Sequence, residues 1–319
     1  MPETIDRVDP AFRADVLNGL AAAIPAIPAR WLYDRRGSEL FDAITRLPSY
    51  YPTRTEVALM ERIAPELADA IPPGGAVVEF GAGSQTKTPL LLETIRPAVY
   101  VPVDISGDYL EESAAALEAN HAGLDVIPVT ADFTRDFALP PEIDGMERLG
   151  FFPGSTIGNF VARSATDLLR HFRGLLGTGA RLLIGMDRIK DVDRLVAAYD
   201  DPEGVTADFN LNLLARINRE LDGDIPLDAF THEARWNDWL SRIEMHLKAV
   251  RDVDFTVDGQ RFAFAQGDTI HTENSHKYGP RGARLLLLAG GWTPVREWLA
   301  PDEDFALILA EAQPDRFAP

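Results

Sequence analysis

The chain of 319 residues contains no cysteine. Disulfides, thiol nucleophiles and cysteine-ligated metals are excluded on that ground alone. Positive charge is scarce as well: 31 lysines and arginines face 50 aspartates and glutamates, a formal net charge of −19. Binding a phosphate backbone needs a basic surface, so no nucleic-acid partner is expected. No apolar run approaches the length that spans a bilayer, and Met1-Pro2-Glu3-Thr4-Ile5-Asp6 lacks the basic and apolar regions of a signal peptide. The expectation is a cytoplasmic protein with no membrane association and no obligate protein partner. Three motifs are absent too. There is no G-x-S-x-G hydrolase elbow and no H-E-x-x-H zinc pattern, and Thr86 stands where a dinucleotide fingerprint has its third glycine. His271 and His276 flank Glu273, but their spacing matches no ligand pattern, and no metal is expected.

What remains is an ordinary globular composition, long enough for a full α/β domain plus an accessory one. The densest signal is residues 77–88. Ala76, Val77 and Val78 read as a buried strand, Gly81-Ala82-Gly83 as a tight turn, and Leu90, Leu91, Leu92 and Ile95 as the apolar face of a helix. Glycines at such a turn let the backbone approach a ligand, and the free N–H groups of the helix start face the same place. Glu-x-Gly-x-Gly after an apolar strand suits a methyltransferase that binds S-adenosylmethionine; a bare turn is the alternative.

The α/β alternation continues from there. Val99–Val103 is a second strand ending at Asp104, a little over twenty residues beyond the glycines, where a nucleotide-binding unit places a carboxylate for the ribose hydroxyls. Asp104 also suits the N-cap of a helix over 108–120. Val126–Val129 reads as a third strand, and Asp132-Phe133 after it suits adenine, a carboxylate for the exocyclic amine and a ring for the base face. Leu149–Phe152 is a fourth strand leading into Gly154-Ser155-Thr156-Ile157-Gly158-Asn159. Asn159 is placed to hold a substrate amine or carboxylate, or else is a left-handed turn residue. A helix over 164–176 and a strand over 180–185 follow.

Before this core, helices are expected over 10–24, through Leu40–Leu47, and from Thr55 to about Ala70, with Ser49–Arg54 a turn. Tyr50 and Tyr51 are adjacent and cannot face the same core, so at least one hydroxyl reaches a polar site or solvent. From 190 the pattern changes to helical material over 191–222 and then strands over 235–248 and 251–271. This is too long for a loop and reads as an inserted subdomain. Polar Ile270–Tyr278 is expected to join it to a helix over 282–289 and two last strands, 292–298 and 304–309.

Several stretches carry a family likeness, in fixed order over nearly the full length. They are Tyr33-Asp34-x-x-Gly37-Ser38-x-Leu40-Phe41-Asp42, Leu47-Pro48-x-Tyr50-Tyr51-Pro52-Thr53-Arg54, Glu79-x-Gly81-x-Gly83-x-x-x-Lys87-Thr88 and Gly154–Asn159. Further ones are Ala198-Tyr199-Asp200-Asp201-Pro202, Gly204–Asn210, Ala234–Asn237 with Ile243-Glu244-Met245, and Thr272-Glu273-x-Ser275-x-Lys277. On these the chain resembles the histidine Nα-methyltransferases of ergothioneine biosynthesis, a branch of the class I S-adenosylmethionine-dependent methyltransferases. The resemblance implies an α/β, Rossmann-like class I methyltransferase sheet over 57–195 plus 285–319. It also implies a second, smaller α+β substrate domain over 1–56 plus 196–284. Gly81, Gly83, Lys87, Asp104, Asp132 and Phe133 would bind S-adenosylmethionine, leaving S-adenosylhomocysteine. Tyr50, Asn159 and Tyr199 would hold the amino-acid end of L-histidine, Asn159 and Tyr50 as the catalytic pair, with Tyr33, Phe41 and Gly154 lining the pocket. Glu273 and Ser275 would read the imidazole, beside Asn274 and Met245. The implied product is trimethylated histidine, hercynine. Pro153 and Asn274 depart from the expected pattern, where a stiffer loop and a side chain turned away from substrate would follow.

Overall fold

A computed structural model of the chain describes residues 9–82, 86–105 and 107–314; the side chains of Asp108 and Tyr109 lie outside that description. In chain order α1 (Pro10–Ala21) and α2 (Arg35–Thr45) come first, each opened by an aspartate. Asp9 accepts from Ala11 N, and Asp34 accepts from Gly37 N at 2.7 Å. Next is α3 (Tyr51–Ala70). It begins at Tyr51, so the expected Ser49–Arg54 turn is in large part the first turn of a helix. Pro52 fits there because a first-turn N–H has no intrahelical partner to lose.

Then come β1 (Ala76–Phe80), α4 (Thr88–Ile95), β2 (Val99–Asp104), α5 (Gly107–Asn120), β3 (Asp125–Val126) and β4 (Val129–Thr130). The single third strand expected over 126–129 is thus two fragments, both pairing with β2. Pro128 stands between them and has no N–H to give to a ladder. They are followed by β5 (Arg148–Phe152), α6 (Ala162–Leu176), β6 (Arg181–Asp187), α7 (Val192–Ala197), α8 (Val205–Glu220), β7 (Phe230–Asn237) and β8 (Arg242–Ala249). The chain closes with β9 (Val253–Val257), β10 (Gln260–Phe264), β11 (Thr269–His276), α9 (Pro280–Ala289), β12 (Trp292–Leu299) and β13 (Phe305–Ala312). Polar Ile270–His276, expected as a junction, is the body of β11. Thr272, Glu273 and Ser275 are buried in it, and Thr272 Oγ1 donates to Met245 O at 3.1 Å. Among the described residues no helix is long and apolar enough to cross a membrane.

The contacts divide the chain into two compact units. One comprises residues up to Tyr50 with Asp191–Asn274; the other comprises Tyr51–Lys190 with the residues from Ser275 onward. The second unit holds an eight-stranded sheet in the order β12-β13-β6-β5-β1-β2-β3, with β4 also on β2. Pairings from β2 through β6 are parallel, and β13 inserts antiparallel beside β6. The chain leaves β1 first toward β2 and later returns to its other side as β5. That reversal puts a crevice at the carboxyl ends of β1 and β5.

Both faces of this sheet are covered, which is why its strands read as continuous apolar runs. Val78, Phe80, Val101, Phe152 and Ile184 face α6 and α9 with Leu169, Phe172 and Leu287. Val77, Tyr100, Phe151, Leu183 and Leu307 face α3 and α4 with Leu59, Ile63, Leu67 and Leu91. Phe172 is stacked on Phe80 with centroids 3.7 Å apart and meets Phe152 edge-on at 5.1 Å. The buried Trp292 indole N–H donates to Leu169 O at 2.8 Å, tying β12 to α6.

The first unit packs α2 and α8 together and sets a three-stranded sheet, β11-β8-β7, beside α8, with a β9–β10 hairpin. Asp34 links the helices: besides capping α2 it accepts from Asn212 Nδ2 (2.8 Å) and Arg219 Nη2 (2.7 Å) of α8.

Replacing Phe172 by alanine would remove the ring that both Phe80 and Phe152 rest on. The expected loss is about 3–5 kcal/mol of unfolding free energy, read from urea denaturation of the two proteins.

Candidate active site

The sequence candidates for nucleotide binding lie at the carboxyl ends of β1, β2 and β4. Gly81 follows β1 with φ +80°, and a Cβ there would meet the Phe133 ring at 3.3 Å. Backbone conformation and close approach both demand glycine. Gly83 lies outside the described residues. Asp104 ends β2 and is half-buried. Phe133 lies against Phe152, Phe160 and Phe172 at 5.8, 6.5 and 6.2 Å. Asp132 shapes the turn before that ring, accepting from Thr134 N at 2.9 Å and Thr134 Oγ1 at 2.5 Å and facing Arg135 at 3.4 Å. Gly81 and Phe133 therefore form one cradle that a side chain at 81 would fill. A ring face, a close-lying backbone and the Asp104 carboxylate at neighbouring strand ends have the chemistry that a nucleoside requires.

Lys87 precedes α4 and is buried. Its Nζ donates to Glu56 Oε2 of α3 at 2.7 Å. Glu56, wholly buried, also accepts from Gly154 N at 2.8 Å and so joins the turn after β1 to the loop after β5. Glu79, near the end of β1, accepts from Tyr100 OH and Thr88 Oγ1, both at 2.8 Å. Burial pushes its carboxyl up to about 7, against the pull of those two hydroxyls and of Lys87.

The loop after β5 is held from several sides. Gly154 (φ +76°) and Ser155 (φ +56°) carry the left-handed turn, and Asn159 does not, so the turn-residue alternative for Asn159 falls. Asn159 closes a 3-10 turn, Thr156–Asn159. Ser155 Oγ accepts from Asp187 N at 2.9 Å, and a Cβ on Gly158 would strike the backbone O of His276 at 2.8 Å. Asp187 ends β6 fully buried. It accepts from Tyr51 OH (2.7 Å) and pairs with Lys277 (2.7 Å) and Lys190. Burial opposes its charge, but the two ammonium groups outweigh that and hold its carboxyl below the usual range. Lys190 is pushed down to about 8 by burial, despite Asp187. Lys277 Nζ also donates to Ser275 Oγ at 2.7 Å.

In the first unit the aromatic candidates form a connected row. Tyr33 meets Phe41 at 5.5 Å and Phe209 at 5.4 Å, Phe41 meets Tyr50 at 6.3 Å, and Tyr50 meets Tyr199 at 5.9 Å. At one end Tyr33 OH donates to the buried Glu273 Oε1 over a long 3.4 Å. Burial first, then the Glu273 charge, raises the Tyr33 phenol well above its ordinary value, so it stays a donor. Tyr199 is anchored through its carbonyl. His232 Nε2 lies 2.7 Å from Tyr199 O, and Asn210 Nδ2 lies 2.9 Å from His232 Nδ1. An amide N–H can only donate, so His232 carries its proton on Nε2 and gives it to Tyr199. Asp201 caps α8 through Val205 N and Thr206 N at 2.9 and 2.8 Å, fixing the segment that carries Tyr199. Met245 is buried in β8. Asn274 Oδ1 is buried, with no hydrogen-bond partner among the described residues.

His271 does stand in a cluster, with Glu244 and His246 and not with His276. Their ligand atoms lie within 4.8 Å of one another. The two rings stack at 4.7 Å, and Glu244 Oε1 is taken by Arg242 at 2.6 and 2.8 Å and by Asn237 at 2.9 Å. Burial drives His246 down to about 4, so this stack is neutral.

Sequence reasoning assigned no role to Glu56, Tyr51, Asp187, Lys190, Lys277 or Phe209. Asp187 had a visible signal, an acid ending an apolar strand as Asp104 does. Glu56, Tyr51, Lys277 and Phe209 are recognisable only by partners far away in sequence, such as Lys87, Asp187 and Tyr33.

Glu79 yields a pH test. An acid whose folded pKa is raised stabilises the fold fully below its unfolded value of about 4.5 and loses that contribution as pH rises through about 7. In ligand-free protein, Glu79→Gln should gain stability relative to the parent between pH 5 and pH 8, on the order of 3 kcal/mol. Paired urea melts at the two pH values check this; a pH-independent difference would contradict it.

Comparison with known proteins follows this geometry. Residues 12–312 match the model of a family described as histidine-specific, S-adenosylmethionine-dependent methyltransferases. The chain is 41% identical over 311 residues to a histidine N-alpha-methyltransferase of Mycobacterium tuberculosis, covering 94% of each protein. It is 41% identical over 318 residues to that of Mycolicibacterium smegmatis, covering 96% of each. It is 31% identical over 299 residues to ergothioneine biosynthesis protein 1 of Neurospora crassa, covering 90% of this chain and 33% of that one. With nucleotide cradle, switch-point sheet and near full-length match in agreement, the chain belongs to the histidine-specific, S-adenosylmethionine-dependent methyltransferase family.

Proposed function

We propose that this enzyme methylates the α-amine of free L-histidine three times, giving hercynine, as the first step of ergothioneine biosynthesis in the cytoplasm. The observation that carries the proposal is Glu273, a buried carboxylate at the end of an aromatic row. A carboxylate there accepts the ring N–H of a flat, partly polar side chain, and an amino acid without that N–H leaves it unmatched. The 41% identity to two histidine N-alpha-methyltransferases supports the same acceptor.

In this reading S-adenosylmethionine, when bound, supplies a sulfonium-borne methyl group. Gly81, Asp104, Asp132 and Phe133 hold its nucleoside, and Lys87, with its charge shared by Glu56, faces its carboxylate. Displacement at a methyl carbon needs an in-line nucleophile and no covalent intermediate, so the work of the chain is positioning. Asn159 and Tyr50 orient the neutral amine, Asn159 through its side-chain oxygen and Tyr50 through its hydroxyl. Tyr199 and Gly154 hold the carboxylate end. Tyr33 and Phe41 line the side-chain pocket with Met245 and Asn274, and Tyr33 keeps Glu273 aimed. Ser275 takes the second ring nitrogen.

Two measurements test this. Purified protein with S-adenosylmethionine and a panel of amino acids, read by mass spectrometry, should give trimethylated product from histidine in preference to every other acceptor. Glu273→Ala should lower kcat/KM for histidine by about a hundredfold or more, with S-adenosylhomocysteine affinity changed less than about threefold. Unchanged histidine kinetics would remove Glu273 from the imidazole site.

A further inference from the structure

We propose that Lys277 is a positioning residue that sets the direction of the Ser275 hydroxyl and so makes this site take the imidazole ring in its neutral form. The proposal rests on the reading that Ser275 faces a ring nitrogen. Lysine has donors only, so the 2.7 Å contact from Lys277 Nζ to Ser275 Oγ obliges the hydroxyl oxygen to accept. Its proton is then directed away from Lys277, and a cation behind the oxygen strengthens that proton as a donor. Lys277 fills one of that oxygen's two acceptor sites, and its charge disfavours a second donor on the other, so the arrangement favours a bare ring nitrogen facing the hydroxyl proton. A protonated ring would bring a second N–H against this donor and a second cation toward Lys277.

Lys277 is well fixed for this task. Its side chain is fully buried and also pairs with Asp187 Oδ2 at 2.7 Å. Among the described residues, the charged or titratable groups near it include Lys190 and Tyr51 on Asp187, Asp304 acting on Lys190, the flanking His276 and Tyr278, and Glu273 two positions before Ser275 on β11. Asp187 keeps Lys190, Tyr51 OH and Arg188 N as partners when Lys277 is removed, so loss of this lysine leaves no bare carboxylate. Glu273 takes the N–H and Ser275 gives its proton to the other nitrogen, which selects one neutral tautomer.

The test is the pH dependence of histidine binding and turnover in four proteins: parent, Lys277→Met, Ser275→Ala and the double variant. In the parent, histidine affinity at saturating S-adenosylhomocysteine should weaken as the free substrate's imidazole protonates below about pH 6.5. Lys277→Met should raise KM for histidine about tenfold, with a smaller effect on kcat, and should flatten that acid limb because the hydroxyl can now turn and accept. In the Ser275→Ala background the same change should add nothing to KM. An equal rise in both backgrounds would mean a merely structural lysine and would overturn the proposal. So would a parent enzyme that binds histidine equally well across pH 5–8, a measurement that decides even where Lys277→Met does not fold. A parent that methylates no histidine at all would overturn the function proposed above, and this inference with it.

Discussion

A carboxylate buried inside a fold must find its counter-charge where it stands, and this constraint arranges the second unit. Glu56 and Asp187 are both wholly buried. Removing such groups from water costs several kcal/mol each unless cations and N–H groups replace the lost hydration. Glu56 is matched by Lys87 and Gly154 N, and Asp187 by Lys190, Lys277 and Tyr51 OH. Each match ties a helix, a strand end and a functional loop to one point. The loop after β1, the loop after β5 and the end of β11 are located by charge balance as much as by sheet pairing. The first unit uses a different means. Burial lowers the His232 imidazole pKa against the pull of the Tyr199 carbonyl, and the ring links Asn210 to that carbonyl, so orientation is transmitted through hydrogen-bond direction, with no net charge.

Much of this was legible in the sequence. The switch-point sheet followed from apolar runs separated by glycine turns, because a strand covered on both faces has a continuous signature. Gly81, Phe133, Tyr33, Phe41, Tyr50 and Tyr199 carried signals of residue type and order, and the structure joins them as one cradle and one aromatic row. The expectation that Tyr50 and Tyr51 part company holds: Tyr50 enters the row and Tyr51 bonds Asp187. Other features were hidden for physical reasons. The start of α3 was misread because Pro52 looks like a stop and serves as a first-turn residue. The polar residues of β11 hide a strand because partners such as Met245 O, which takes the Thr272 hydroxyl, lie on another element. Glu56 and Lys277 are ordinary charges in a local window; only their distant partners, Lys87 and Asp187, give them meaning.

The helix caps show how local chemistry reaches function. Asp34 and Asp201 each satisfy the first N–H groups of a helix, and each immediately follows, or lies two residues after, a tyrosine of the aromatic row. A cap fixes the entry angle of the chain. It thereby fixes where Tyr33 and Tyr199 leave their backbones, and the row owes its geometry to backbone groups that touch no ligand.

Gly158 carries a consequence for how such an enzyme can diversify. Its bare Cα lies against the backbone of His276, next to Ser275 on one side and Asn159 on the other. Tyr278 OH donates to Ile157 O and ties the two segments together, while Tyr278 N donates to Asp187 O and fixes the second of them to the end of β6. An insertion, a deletion or even a methyl group at this seam would shift both together. Exchanges of side chains that project from the two segments leave this seam intact, and changes of length at it do not.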